Sequence, residues 1–263
     1  AAGYTHSFNS RVSSELRFGW LRVTGGQTSE NQGYDFGTIT GLEGVTGDSQ
    51  DMGFPLVSLA GEFSTMGDPD SFIFRRNESF EVFENIQVLR GNHQIKFGGY
   101  WFHLNFNPSN PEAARGIFSF TPRFSSSSPG ASDGSALADF LLGYPSSARA
   151  GLGRGEEDGR TNWFHFYVQD NWQVQEALTL DVGLRYEINQ HMKDINNELS
   201  AIDLSTPQAR FVIASNSDGI IAPSASELLP LIPIPYTTSA DAGWSRSLMR
   251  PSYKRFAPRL GLA

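Results

Sequence analysis

Residues Leu178 to Asn189 alternate between apolar and polar without a break. Leu178, Leu180, Val182, Leu184, Tyr186 and Ile188 take the even positions; Thr179, Asp181, Gly183, Arg185, Glu187 and Asn189 take the odd ones. Side chains on a strand point alternately to its two faces, so this pattern predicts one long strand with an oily face and a charged face. A helix would scatter the six apolar residues round its circumference. Ordinary strands run about 5–6 residues, whereas a strand tilted across a bilayer needs about 9–11. A stretch of this length and polarity is the unit from which outer-membrane barrels are built.

The same alternation recurs along the chain. Leu16, Phe18 and Trp20 share one face of a strand over Ser13 to about Val23. Phe80, Val82, Ile86 and Val88 share a face of the next, with Glu84 interrupting it. Arg90-Gly91-Asn92 makes a tight turn, with Gly and Asn expected to supply positive-φ positions. His93 to Phe106 follows, with Ile95, Phe97, Gly99 and Trp101 on one face; Tyr100 and Phe102 make the other face partly aromatic. Asn107-Pro108 is expected to stop it. Asn162 to Val174 places Phe164, Phe166, Val168, Trp172 and Val174 together. Asp170 breaks that face, which implies a bulge there or a place near the membrane edge. Gln175-Glu176-Ala177 then turns into the opening strand, and Arg255 to Ala263 reads as one more.

About six strands emerge, and the connections between them alternate in length. Those after Leu89 and Val174 are tight turns; those after Val23, Phe106 and Asn189 are long loops, rich in Gly, Ser, Pro and Asp. The middle loop holds one short helix, Ser135 to Gly143, with Ser135 as its cap and Leu137, Phe140 and Leu141 on one side. Outer-membrane barrels have short periplasmic turns and long extracellular loops. The fold class expected is therefore all-β: a segment of an antiparallel up-and-down transmembrane barrel. Phe164 and Trp172 lie on one face at a separation of roughly 20 Å along the membrane normal, near the height of a lipid-facing band.

Composition limits the alternatives. Mean hydropathy is -0.32, and the greasiest run, Leu228 to Tyr236, is short and carries prolines, so no membrane helix is expected. Cysteine is absent, which removes disulfides and thiolate chemistry. The net charge of -8 argues against a nucleic-acid partner. The start, AAGYTHSFNS, has no basic segment followed by an apolar core, so it is not read as a signal peptide, and the chain is expected to begin inside something larger.

No pattern for bond-making chemistry is found. The histidines at 6, 93, 103, 165 and 191 form no compact ligand spacing. His93, His103 and His165 are expected at the lumen or the interface. Asp68 and Asp70, with Asp48 and Asp51, offer oxygen ligands for calcium but lack the EF-hand spacing, so a solvated acidic loop is expected. Gly151, Gly153 and Gly155 mimic a phosphate loop without its strand, helix or lysine. No GxSxG elbow occurs. Neither a metal nor a cofactor is expected, and the chain is not read as an enzyme. The odd-face charges Asp181, Arg185 and Glu187, with Lys96 on its own strand, are candidates for lining a lumen and touching ligand; a network of ion pairs stiffening the wall is the plainer account. Tyr34, Phe36 and Trp244, with Phe54 and Tyr236, are loop candidates for ligand capture; self-packing of the loops would use the same residues.

ADFLLGYP (Ala138 to Pro145), FYVQDNW (Phe166 to Trp172), LTLDVGLRYE (Leu178 to Glu187) and FAPRLGLA (Phe256 to Ala263), together with HQIKFGG (His93 to Gly99), resemble the barrel of TonB-dependent outer-membrane receptors. The resemblance is to the Oar-like group, which carries a carboxypeptidase-regulatory-like domain ahead of the plug. It implies an outer-membrane location and a barrel of about 22 strands closed by a plug. It also implies uptake of a bulky ligand driven through TonB, with membrane lipid, the plug and TonB as partners. Residues 1–263 would then be part of a barrel wall, since no plug, TonB box or N-terminal domain is recognised in them and six strands cannot close a barrel, the smallest having about eight. Alternation alone also suits a soluble or cell-surface β-sandwich that binds a ligand, because a sandwich turns the same two faces inside out.

Overall fold

A computed structural model of the protein describes residues 1–41, 51–69, 73–109, 111–131, 133–151, 155–231, 233–250 and 252–263. In chain order its elements are β1 (Ala2–Asn9), β2 (Val12–Gln27), α1 (Phe36–Thr40), β3 (Leu56–Leu59), β4 (Ile73–Arg90), β5 (His93–Ser109), β6 (Ile117–Phe120), α2 (Ala136–Leu141), β7 (Ser147–Arg149), β8 (Gly159–Gln175), β9 (Leu178–Asn189), β10 (Lys193–Asp194), β11 (Ser200–Asp203), β12 (Arg210–Ile213), α3 (Pro223–Leu228), β13 (Tyr236–Thr238) and β14 (Phe256–Leu262). The long strands form one sheet in the order β1-β2-β4-β5-β8-β9-β14, each beside its predecessor among the long strands, with β10 paired to β8. Two three-stranded sheets, β3-β6-β7 and β11-β12-β13, accompany it. The fold is all-β and mostly antiparallel, with three short α-helices among the described residues where the sequence suggested one. The described strands do not close a barrel.

Leaving aside the two-residue β10, the long sheet has one strand more than the alternation singled out. The addition is β1, whose hairpin with β2 turns on Asn9: its side-chain oxygen accepts from the amides of Arg11 and Val12. The long strands also outrun their expected ends. Residues 24–27 belong to β2, residues 73–79 to β4, and 107–109 to β5, so Asn107-Pro108 does not stop the strand. The loops expected to be plain contain the small sheets and helices. At the Arg90-Gly91-Asn92 turn, positive φ is supplied by Gly91 alone.

The tight turns gather at one end of the sheet. Leu89 donates to the Arg11 carbonyl at 2.7 Å, Gln173 to Asn92 at 2.9 Å, and Thr179 to Ala263 at 2.8 Å. Register along β5, β8 and β9 runs unbroken from Trp163 to Gln173 on β8, so no bulge sits at Asp170. Asp170 lies on the apolar face, opposite Ile95 and Val182, and its carboxylate meets His93 Nδ1 at 2.6 Å. The His93 ring stacks on Trp172.

Adjacent glycines show how side chains set this pairing. Gly98 and Gly99 lie across from Tyr167 and Phe166. Side chains of paired residues share a face, so Tyr167 covers Gly98 on one side of the sheet and Phe166 covers Gly99 on the other. A Cβ on Gly98 would stand 2.2 Å from the Glu84 carbonyl oxygen and 2.9 Å from the Tyr167 ring. The Gly-Gly of HQIKFGG and the Phe-Tyr of FYVQDNW are thus two halves of one fit.

The chain divides into two compact units: Ala1–Val23 with Asn77–Asn107 and Glu157–Ala263, and Thr24–Arg76 with Pro108–Glu156. The second has a small core of Val57, Leu59, Phe120 and Ala136, with Phe54, Phe118, Leu137 and Phe140 packed on it. Helix α2 forms where the sequence placed it, but its buried residues are Ala136 and Asp139, and Leu141 points outward. Ser135 caps its first turn, Glu62 accepts from the Ala136 and Leu137 amides, and Gly143 ends it at φ 76°. Asp139 accepts from the amides of Arg123, Phe124 and Ser125 at 2.7–2.9 Å. Burial raises the cost of its charge, yet these donors outweigh that and hold its carboxyl below the ordinary value.

The apolar face of the long sheet stays open. Phe166 is 52% exposed, Leu184 44% and Leu260 73%. A sandwich would cover these residues with a second sheet. A continuous oily face of this extent needs an apolar solvent or partner.

Candidate functional site

The opposite face carries the candidates, and register sorts them into rows. Across β5, β8, β9 and β14, Lys96, Gln169, Gly183 and Arg259 form one row. Below it lie Gln94, Asn171, Asp181 and Gly261; above it lie Gly98, Tyr167, Arg185 and Ala257. Tyr100, His165 and Glu187 follow, then Phe102, Trp163 and Asn189. The structure therefore places Lys96, Asp181, Arg185 and Glu187 on one face and in neighbouring rows, as the parity of their positions implied.

Three of these four are engaged within the wall. Asp181 accepts from Asn171 at 2.7 Å. Arg185 pairs with Glu187 at 2.8 Å and meets His165 Nδ1 at 3.0 Å. For these residues the plainer account, pairs that stiffen a wall beside water, fits the geometry. Lys96 and Arg259 have no ion-pair partner among the described residues.

Of the rings around them, the sequence pointed to Tyr100 as part of an aromatic patch on this face but not to Phe83, Trp163 or Tyr167. Phe83, Tyr100, Trp163 and Tyr167 are among the residues that line a hollow of about 780 Å³, together with Gln169, Gly183, Arg185 and Arg259. Tyr100 donates to Glu81 at 3.3 Å and Tyr167 donates to Asn85, so both hydroxyls are occupied within the wall. His165 lies between Tyr100 and Arg185, its ring 5.4 Å from that of Tyr100. The signal was present as parity: Trp163, His165 and Tyr167 alternate with Phe164, Phe166 and Val168, but strand aromatics were read as ends of an oily band.

Two other histidines lie on the opposite face. His93 lies on the apolar face beside Trp172. His103 lies on that face too, bonded to Asn162 and Asn105 at 2.9 and 2.8 Å. Beyond Trp101 and Phe164 the outward side thus turns polar. The loop candidates belong to different units. Tyr34 is exposed, and Phe36 packs edge-on against Phe54 in the second unit, whereas Trp244 is half-buried in the first. Self-packing accounts for Phe36. Asp48, Asp70 and Gly153 lie outside the described residues. Among the described residues, no group of three acidic or histidine side chains is placed to hold a metal.

A family model described as an outer membrane beta barrel domain matches residues 1–263. No curated protein sequence matches the chain. Among solved structures, the chain is similar to the open form of the ferric-catecholate import receptor Fiu from E. coli K12, at 14% identity and a TM-score of 0.34. That match covers 99% of this chain and 30% of the receptor.

Proposed function

The chain belongs to the outer membrane β-barrel domain family, and from that premise we propose that it is part of the wall of a TonB-dependent receptor of the Oar-like kind, taking up a bulky ligand through a plugged pore. The location in the outer membrane follows from the family; the role in transport is part of the proposal. The finer assignment draws on the residues of ADFLLGYP, HQIKFGG, FYVQDNW, LTLDVGLRYE and FAPRLGLA quoted above. The observation that carries it is the uncovered oily face of seven long strands backed by a face of charges and rings. Lipid meets the first; an enclosed, watery lumen meets the second, where Lys96, Asp181, Arg185 and Glu187 face the plug and the passing ligand. Tyr34, Phe36 and Trp244 belong to the connections through which ligand is first met. In this function the chain makes and breaks no bond.

Residues 1–263 hold no cysteine, so in a receptor cleared of any thiol elsewhere a single introduced one reports one place. In the full receptor in whole cells, Asp181→Cys should react with a small water-soluble thiol reagent that enters the lumen, and Leu184→Cys should react only with a lipid-soluble one. Equal reaction with the water-soluble reagent sinks the wall assignment. Loss of energised ligand uptake on deleting TonB checks the coupling; uptake that persists sinks that part alone.

A further inference from the structure

We propose that the half of the charged face nearest the tight turns is the seat of the plug, where Lys96 meets a carboxylate that the plug carries. This rests on the wall assignment above and gives one part of that wall its partner.

Polar side chains on this face are spent unequally along the strands. Away from the turns the wall satisfies itself: Tyr100 donates to Glu81, Arg185 pairs with Glu187, and His165 lies between Arg185 and Asn189, at 3.0 and 2.7 Å. Toward the turns it does not. The side chains of Gln94, Lys96, Gln169 and Gln173 make no hydrogen bond or ion pair among the described residues. Neither does that of Gln87, which follows Glu81, Phe83 and Asn85 at alternate positions of β4.

Lys96 does not stand at a border of the sheet. Its strand, β5, has β1, β2 and β4 on one side and β8, β9 and β14 on the other. A lysine stem reaches about one strand to either side, so the wall residues within its range are all in place; this is not so for Arg259 on β14. The described acids of the charged face are engaged elsewhere: Glu15 with Arg17, Glu81 with Tyr100, Asp181 with Asn171 and Glu187 with Arg185. The wall therefore supplies no anion for Lys96, and the enclosed space must.

The surroundings of this ammonium point to a polypeptide. Each glutamine amide presents a carbonyl acceptor and an NH2 donor, the same two functions that a peptide group presents. A carpet of amides bonds to a backbone without stripping water from charges. One cation within it fixes where a carboxylate of that polypeptide comes to rest. Height on the wall agrees. Gln94, Lys96, Gln169 and Gln173 lie within a few residues of the tight turns, on the periplasmic side. Ligand enters from the side of the long loops and meets the rings of Tyr100 and Trp163 before it reaches them.

The test uses the full receptor in lipid nanodiscs, treated with a water-soluble carbodiimide, which joins an amine directly to a carboxylate it touches. Lys96, Lys193 and Lys254 are the lysines of residues 1–263, so peptide mass spectrometry identifies what each has joined. Lys96 should be joined to an aspartate or glutamate of the plug. Coupling to Asp181 or another acid of the wall overturns the proposal. So does an uncoupled Lys96 in a sample where Lys193 or Lys254 has reacted, which leaves it to water. A second measurement follows arabinose influx into liposomes carrying the receptor. Lys96→Glu should raise influx at least threefold, Lys96→Arg should keep the pore closed, and reversing the coupled plug acid to lysine beside Lys96→Glu should close it again. Influx unchanged in Lys96→Glu, or not restored by the double reversal, overturns the seat. Equal water-phase labelling of Leu184→Cys and Asp181→Cys would instead overturn the wall itself, whatever Lys96 does.

Discussion

At the scale of single residues, glycines and carboxylates show how context decides meaning. Gly98→Ala should destabilise the receptor by about 1–3 kcal/mol, because the new methyl enters space held by the Glu84 carbonyl and the Tyr167 ring. Gly183→Ala should stay within about 0.5 kcal/mol. Urea unfolding of both variants in lipid checks this, and similar costs for the two would contradict the packing. Asp139 was passed over in the sequence as one residue of a short helix; nothing in ADFLLGYP marks it as the acceptor for three amides some fifteen residues earlier. Its ionised form is favoured by folding, so its contribution is complete above the unfolded carboxylate value of about 3.9 and is lost as pH falls through the lower folded value. Glu62 acts in the same sense, held below its ordinary value first by the Ser135 hydroxyl and then by the Ala136 amide. Cutting of residues 123–128 by an acid-tolerant protease should therefore rise only below about pH 4. Asp139→Asn should show fast cutting already at neutral pH; an unchanged rate would deny the anchoring role.

At the scale of elements, the two-faced strand is the determining unit. Leu184→Arg, opposite Val168, should cost roughly 2–4 kcal/mol near the middle of the bilayer, Leu180→Arg, level with Trp172 at the edge of the oily band, less, and Thr179→Arg on the other face least. Refolding titrations into lipid vesicles compare them, and equal damage would reverse the assignment of faces. This part of the fold was legible because alternation is local: β9 shows its parity in twelve residues with no exception. β1 was harder, since its outward positions include His6 between Tyr4 and Phe8 and its inward ones are small. Strands β3, β6, β7, β11, β12 and β13 have three or four residues each, too few for a period to declare itself, and apart from the local β11–β12 pair they are fixed by partners remote in the chain. The site was half legible for a related reason. Parity put Lys96, Asp181, Arg185 and Glu187 on one face, but only register between strands brings Arg259 across from Gly183 and Tyr167 against Gly98.

At the scale of the whole molecule, the placing of tight turns at one end fixes a topology that protease can read. Added to intact cells, protease should cut within Ser125 to Ser135 and spare Gln175 to Ala177; the opposite result would turn the molecule over. The span of the strands has a further consequence. β4, β5 and β8 have 18, 17 and 17 residues, while crossing hydrocarbon takes about 9–11. The surplus lies past Trp101 and Phe164, where His103, Asn105 and Asn162 are bonded to one another on the outward side. The sheet therefore stands proud of the oil at that end as a stiff parapet, wetted on both sides.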